Sequence, residues 1–389
     1  MKPVKITDNI YWVGAVDWNI RNFHGYLTQK GTTYNAYLII DEKITLVDTV
    51  KSSFFDEMLS RISAVVDPSK IDYIVSNHVE MDHSGGLPRL IEAAKNARII
   101  TSPNGERGLK AHYKADNWDF AVMKTGDRLD LGKRSLTFVH TPMVHWPDNM
   151  VSYLKEDKIL FSNDAFGQHI ASSECFDDEF PFDIMLEEAG KYYANIVLPY
   201  GSQVHKALEA LTGLDIEIIA PSHGLIWRSY VPKIVKEYEK WAANETEDMA
   251  VIVYDTMWNS TERIAYAIQK AFDDKGISTK MMNLKTNHIS DIMTHVLKAR
   301  YICLGSPTLN NNMLPTVASF LTYLKGLAPK KRIGMAFGSF GWSGQSVGQI
   351  EEVLKEAGFE LLNKVSIRYI PSEEQLQEVT ESLKKQLVR

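Results

Sequence analysis

His78-Val79-Glu80-Met81-Asp82-His83 sets four potential metal ligands within six residues, after the apolar run Ile71-Asp72-Tyr73-Ile74-Val75 and before Gly85-Gly86. Donors at i, i+2, i+4 and i+5 between a strand and a glycine pair predict a loop, and strand-end loops are where α/β folds place chemistry. One histidine behind a strand is usually structural or solvated. Four ionisable groups this close would repel and desolvate badly without a cation. Three more donors follow in separate turns: His145 in Met143-Val144-His145-Trp146-Pro147, Asp164 in Ser162-Asn163-Asp164-Ala165, and His223 in Pro221-Ser222-His223-Gly224. Four imidazoles and three carboxylates suit two metal ions, since no single ion would use all seven.

Around this cluster the first part of the chain is strand-rich. Alternating or β-branched runs predict strands at 10–16, 33–40, 44–47, 98–101, 135–139 and 150–154, with helices at 54–66 and from Gly85-Gly86 to about Lys95. Such interleaving predicts an α/β sandwich with sheets inside and helices outside. The polar stretch Ala242-Ala243-Asn244-Glu245-Thr246-Glu247-Asp248 reads as a helix end and a short linker, so the domains are placed at 1–247 and 248–389. Beyond it, strands at 249–254, 279–283, 301–305, 332–338 and 365–370 alternate with helices at 261–273, 289–299, 314–327, 347–357 and 373–388. Five such pairs predict a five-stranded doubly wound parallel sheet.

Three loops of this second domain carry ligand signals. Thr256-Met257-Trp258-Asn259-Ser260-Thr261 puts hydroxyls and free amides at a helix N-terminus, an anion site, although such a turn alone is more often only a cap. Neither GxGxxG nor GK[ST] occurs, which disfavours a dinucleotide or a nucleoside triphosphate. Ser306-Pro307-Thr308-Leu309-Asn310-Asn311 follows the third strand and Ser339-Phe340-Gly341-Trp342-Ser343-Gly344 the fourth. The glycines permit close backbone approach, and Trp342 offers a face on which a flat ring stacks.

Bulk properties narrow the class. Net charge is −6, so no basic field points to nucleic acid; hydrophobic residues are 44% and charged residues 24%, ordinary for a globular protein. No apolar run reaches about 18 residues, so no membrane association is expected, and Met1-Lys2-Pro3-Val4-Lys5 does not open a signal peptide. Cys175 and Cys303 are the only cysteines, which argues against thiolate metal sites and for a reducing cytoplasm.

The first domain resembles the metallo-β-lactamase fold, an αββα sandwich whose zinc hydrolases carry a HxHxDH loop. Glu80 replaces the second histidine of that loop, and an extra hard, anionic oxygen favours iron over zinc and the ferric state. The second domain resembles flavodoxin, and its three loops fall on the FMN-binding positions. In this order the two domains are similar to flavodiiron proteins, enzymes that reduce dioxygen or nitric oxide. The resemblance implies FMN and two iron ions per chain: His78, Glu80 and His145 on one iron, Asp82, His83 and His223 on the other, Asp164 between them. It also implies His24, His169 and Tyr193 beside the irons, each as readily a buried hydrogen-bonding side chain as a proton donor.

No C-x-x-C pair trails the last helix, so an external electron donor is expected, such as a rubredoxin or a reduced deazaflavin. A head-to-tail homodimer, or a dimer of dimers, would bring one chain's flavin to its partner's irons. The alternatives are a dinuclear zinc hydrolase, against which Glu80 and the flavodoxin half both argue, and a non-catalytic carrier or gas sensor, against which the complete ligand set argues.

Overall fold

Alternation along the early strands sorts side chains onto two faces, and the computed structural model, which describes residues 1–387, shows what each face meets. The chain forms two compact units, Met1–Tyr192 with Tyr200–Glu239, and Tyr193–Pro199 with the chain from Lys240 onward. In the first unit a seven-stranded sheet runs in the order Val4–Thr7, Ile10–Trp12, Tyr37–Ile39, Thr45–Val47, Tyr73–Ser76, Arg98–Thr101, Phe120–Val122. A five-stranded sheet runs Arg128–Asp130, Ser135–His140, Met150–Leu154, Ile159–Asn163, Ile218–Pro221. Tyr37, Ile39, Val47 and Val75 meet Phe138, Met150 and Phe161 between the sheets. Their neighbours Leu38, Leu46 and Ile74 point the other way, onto Phe55, Met58 and Leu90 of the covering helices. Val151 and Leu160 on the far face of the second sheet lie under Val204 and Leu208 of helix Gly201–Leu211 and Tyr238 of helix Val231–Ala242. The layers are therefore αββα, and each buried aliphatic or aromatic side chain contributes roughly 1.5–3 kcal/mol.

Two expected strands divide. The run 10–16 becomes Ile10–Trp12 and Ala15–Asp17, and 33–40 becomes Thr32–Tyr34 and Tyr37–Ile39, with Ala15–Asp17 and Thr32–Tyr34 forming a separate antiparallel pair. Gly14 marks the crossing, because a Cβ there would lie 2.2 Å from the Tyr34 carbonyl oxygen.

In the second unit Ser278–Asn283, Glu247–Tyr254, Ala299–Gly305 and Ile333–Phe340 lie side by side, all parallel. The fifth position is shared by two short strands, Glu360–Leu361 and Val365–Arg368, both parallel to Ile333–Phe340, where one strand at 365–370 is predicted. This strand order reverses direction between the first and third strands in sequence, which opens a ligand crevice at their carboxyl ends. The segment Tyr193–Pro199 joins this unit through Asn195, whose Nδ2 donates to the Ser290 carbonyl at 3.1 Å and whose Oδ1 accepts from the Tyr323 hydroxyl at 2.8 Å. The last helix is Glu373–Gln386; its expected run to 388 lies outside the described residues. Among the described residues no helix is long and apolar enough to cross a membrane.

Candidate metal centre and cofactor cleft

Strand Tyr73–Ser76 delivers the first donors from a locked position. Asn77 donates through its backbone N and its Nδ2 to the two Asp48 oxygens, at 2.8 and 3.1 Å, and its Oδ1 accepts from Ser152 Oγ at 2.6 Å. His78 and Glu80 then sit in an extended loop as expected, but Asp82 and His83 do not. They occupy a single helical turn, Met81–Ser84. Ser84 closes that turn by donating through Oγ to the Val79 and Glu80 carbonyls at 2.6 and 3.0 Å. A Cβ at Gly85 would stand 2.8 Å from Ser52 N, so the glycine lets the turn pack tightly.

The donors gather as His78, Glu80, His145 and Asp164 in one group and Asp82, His83 and His223 in the other, with the atoms of each group within 4.8 Å of one another. Asp164 faces both. Its Oδ2 is 3.1 Å from His145 Nε2 and 3.6 Å from His78 Nε2, while Oδ1 is 3.0 Å from His83 Nε2 and 3.5 Å from His223 Nε2. Both Asp82 oxygens, both His83 ring nitrogens and Asp164 Oδ1 are buried without a hydrogen-bond partner. Such orphans are costly unless a cation collects them. In the first group His78 Nε2 meets Glu80 Oε2 at 3.3 Å and His145 Nε2 meets Asp164 Oδ2 at 3.1 Å, while the second group keeps the unpartnered atoms. Converging donors of which three are anionic oxygens fit a pair of iron ions.

The electrostatics agree. Burial pushes the His78 imidazole down, but the Asp148, Glu80 and Asp164 carboxylates outweigh it and hold its pKa at about 10. His83 and His145 are likewise lowered by burial and raised further by their carboxylates, to about 9. Burial opposes charge on Asp164, yet His83 and His145 keep it well below the usual carboxylate range. Metal binding must therefore displace protons from the imidazoles.

Outer partners fix the rings. Asp148 Oδ2 accepts from His78 Nδ1 at 2.9 Å and from Val79 N at 2.8 Å, and His223 Nδ1 donates to the Thr33 carbonyl at 2.7 Å. Sequence reasoning missed Asp148, although a carboxylate in the turn directly after His145 was a readable signal. Loss of a carboxylate behind a ligating histidine costs about 10–100-fold in metal affinity. Asp148→Ala is expected to weaken iron binding by that factor in a chelator titration; unchanged affinity would remove Asp148 from the site.

Two of the three flanking candidates, His24 and His169, lie beside the cluster in the first unit. His24 Nε2 lies 2.7 Å from Glu80 Oε1. His169 is buried, with Nδ1 2.8 Å from Thr32 Oγ1 and its ring 4.9 Å from that of His223. Burial, with His223 nearby, pushes its pKa well down and keeps it neutral. Tyr193 belongs to the second unit, where its ring packs against that of Trp241 at 5.2 Å, and the rings of Tyr26 and Tyr192 each lie 5.3 Å from that of His169. One step along a helix turns a side chain by roughly 100°, so neighbours face different surroundings.

The second unit has its own cleft, of about 940 Å³, at the carboxyl edge of the parallel sheet. Met257, Trp258 and Ser260 line it from the first loop, Pro307, Thr308, Leu309, Asn310 and Asn311 from the second, and Ser339, Phe340, Gly341 and Trp342 from the third. Ser343, Tyr369 and Ile370 complete it; the last two follow the fifth strand, whose carboxyl end is part of the same edge. The other expected residues stand behind the lining. Thr261 Oγ1 bonds Ser339 Oγ at 3.0 Å, Ser306 Oγ accepts from Leu314 N at 2.9 Å, and Asn259 adopts φ 63° at the helix N-cap. A Cβ on Gly344 would lie 3.1 Å from the Phe340 ring. Thr256 Oγ1 is buried without a partner, which suits a phosphate oxygen arriving at the helix N-terminus. Trp258 and Trp342 are 88% and 87% exposed, and a flat apolar ring between such side chains would bury both. The cleft fits FMN.

The profile of the ODP family beta lactamase matches residues 32–224, and that of flavodoxin matches residues 252–382. A nitric oxide reductase of Moorella thermoacetica is 45% identical over 97% of this chain and 96% of its own. A rubredoxin-oxygen oxidoreductase of Megalodesulfovibrio gigas is also 45% identical, over 100% of this chain and 98% of its own. The crystal structure of the flavodiiron protein from Giardia intestinalis superposes with a TM-score of 0.97 at 34% identity, covering 99% of this chain and 96% of that one. With seven metal donors in two facing groups, an FMN-sized cleft behind them in the sequence, and relatives matched along the whole chain, the protein belongs to the flavodiiron family.

Proposed function

We propose that the chain is an FMN- and diiron-dependent oxidoreductase that reduces dioxygen to water, nitric oxide to nitrous oxide, or both. The observation that carries this is the charge of the cage: Glu80, Asp82 and Asp164 stand among the four imidazoles, in a chain that also builds a flavin cleft. When bound, FMN and the iron pair supply the electrons, four for one dioxygen and two for a pair of nitric oxide molecules.

The chain's own residues hold and orient. We assign His78, Glu80 and His145 to one ion, Asp82, His83 and His223 to the other, and one Asp164 oxygen to each. Asp148 and the Thr33 carbonyl keep the Nε2 atoms of His78 and His223 turned inward. His24, half in solvent and bonded through Nε2 to Glu80 Oε1, is placed to carry a proton between water and the centre. His169, neutral and buried, positions His223 through the packing of their rings. We take 1–247 as the metal-bearing domain and 248–389 as the flavin domain.

Electrons come from an external donor, and a rubredoxin-type protein or a reduced deazaflavin fits that role in the cytoplasm. We further propose a head-to-tail homodimer, or a pair of such dimers, in which the exposed Trp258 and Trp342 are covered by the partner. Full turnover from an obligate monomer at nanomolar concentration would overturn the dimer.

The functional test is anaerobic reduction of the iron-loaded protein followed by parallel assays with each gas. Consumption of at least one gas is expected, with FMN reoxidised. Failure to consume either would overturn the reading, and ester or amide hydrolysis by the zinc form would replace it.

A further inference from the structure

A small cavity lies in the first unit between the far face of the five-stranded sheet and its covering helices. Its volume is about 20 Å³. A cavity measured this way needs roughly 10–15 Å³ to hold one water-sized molecule. Its walls are mostly aliphatic, among them Val144, Val151, Leu160, Val204 and Leu208, with the Phe166 and Tyr238 rings and Thr141 beside them, and the surface they expose to it is apolar. The Tyr238 hydroxyl accepts from Phe166 N at 2.6 Å, so that polar atom is engaged at the wall. A site of one water's size without two or more polar partners does not hold water well; apolar cavities stay dry and take up apolar guests such as xenon.

The position gives the cavity its meaning. Val144 is one peptide bond from His145, and Ala165 is one peptide bond from Asp164. Those two donors face each other at 3.1 Å in the first metal group. Val144, Val151, Leu160 and Val204 are buried, whereas Ala207, Leu208 and Leu211 of helix Gly201–Leu211 are only half-buried. The apolar wall therefore runs from a partly open helix edge to the backbone that carries two ligands. An aqueous approach already exists at His24, whose side chain is 58% exposed.

We propose that this cavity is a holding site for an apolar diatomic gas, dioxygen or nitric oxide, on its way to the metal centre. The proposal rests on the gas-reducing reading above. A dry site concentrates a neutral apolar molecule while excluding the ions and water that would compete for the same cations. It also keeps gas entry separate from the proton traffic at His24.

Xenon tests the cavity without any turnover. Crystals of the iron- and FMN-loaded protein under xenon pressure are expected to show a xenon atom bounded by Val144, Ala165, Val204 and Leu208. Ala207→Leu is expected to abolish that site by filling its half-buried rim. It should raise KM for the gas several-fold, leave kcat near the wild-type value, and leave iron content and anaerobic FMN reduction unchanged. Leu208→Trp, at another half-buried position of the same helix, provides the same reading if Ala207→Leu folds poorly. No xenon in the wild-type cavity overturns the proposal. Loss of xenon with an unchanged KM also overturns it, leaving a packing defect only. A wild type that binds xenon yet consumes neither gas would overturn the functional reading, and with it the guest assigned here.

Discussion

Asp164→Asn is expected to abolish turnover and to strip iron from the chain while FMN stays bound. Asp164 turns one oxygen toward each donor group, Oδ2 toward His145 and Oδ1 toward His83. Asparagine keeps the size but turns one of those oxygens into an NH2 group, which cannot ligate and repels a cation. It also removes one of three negative charges from a buried cage. Losing a mere outer partner of a ligand costs about 10–100-fold in metal affinity, so losing a ligand shared by two ions should cost more. Iron should fall well below the two ions per chain of the wild type, and gas consumption should be undetectable. Removing one partner from a buried ionic group costs about 3–5 kcal/mol, so the iron-free first unit should also melt earlier than its wild-type counterpart. Flavin absorbance should not change, because the cleft is built entirely from residues after Lys240. Iron, flavin and thermal unfolding measured on one sample separate these effects. Retention of both irons would show that Asp164 does not join the groups.

The donors were legible because four share one short stretch behind a strand and three sit in separate turns, where local chemistry outweighs long-range packing. Their pairing was not legible from spacing. Asp82 and His83 are neighbours of Glu80 in sequence yet belong to the other group, because the turn Met81–Ser84 swings them away from the loop. That turn forms through Ser84, whose hydroxyl bonds to Val79 and Glu80 gave no sequence signal. The Tyr192 and Tyr193 pair shows the same limit. Two adjacent tyrosines are equivalent to a reader of sequence, and the change from α-helix to a π-helical segment at Tyr193–Val197 decides which faces His169. In the second unit, regular alternation made the parallel sheet readable almost strand by strand. The break between Glu360–Leu361 and Val365–Arg368 was not readable, and it carries Tyr369 and Ile370 to the cleft.

Glu80→His is expected to move the centre from iron towards zinc and to end gas reduction without dismantling the cage. The substitution restores the histidine of the zinc hydrolases, so six of the seven donors stay in place and the seventh changes from anion to neutral nitrogen. Glu80 Oε2 lies 3.3 Å from His78 Nε2 and 3.4 Å from His145 Nε2, inside the first group, so its charge acts on the first ion directly. Two unit charges at contact range interact by about 4 kcal/mol at an effective dielectric of about 20. Loss of that anion destabilises the more oxidised, more positive state. Where iron is retained, its midpoint potential should rise on the order of 100 mV, by the one-electron conversion of such an energy. A softer nitrogen donor and a lower cage charge both relax the preference for iron, so protein loaded from an equimolar mixture should carry mostly zinc. His24 loses its Glu80 acceptor in the same variant, and His24→Gln provides the control: it should keep iron and potential near wild type while changing only the pH profile of turnover. Metal content and a redox titration of Glu80→His decide the matter. An unaltered preference for iron together with an unaltered potential would mean that the carboxylate at this position is not what sets the chemistry apart from that of the hydrolases.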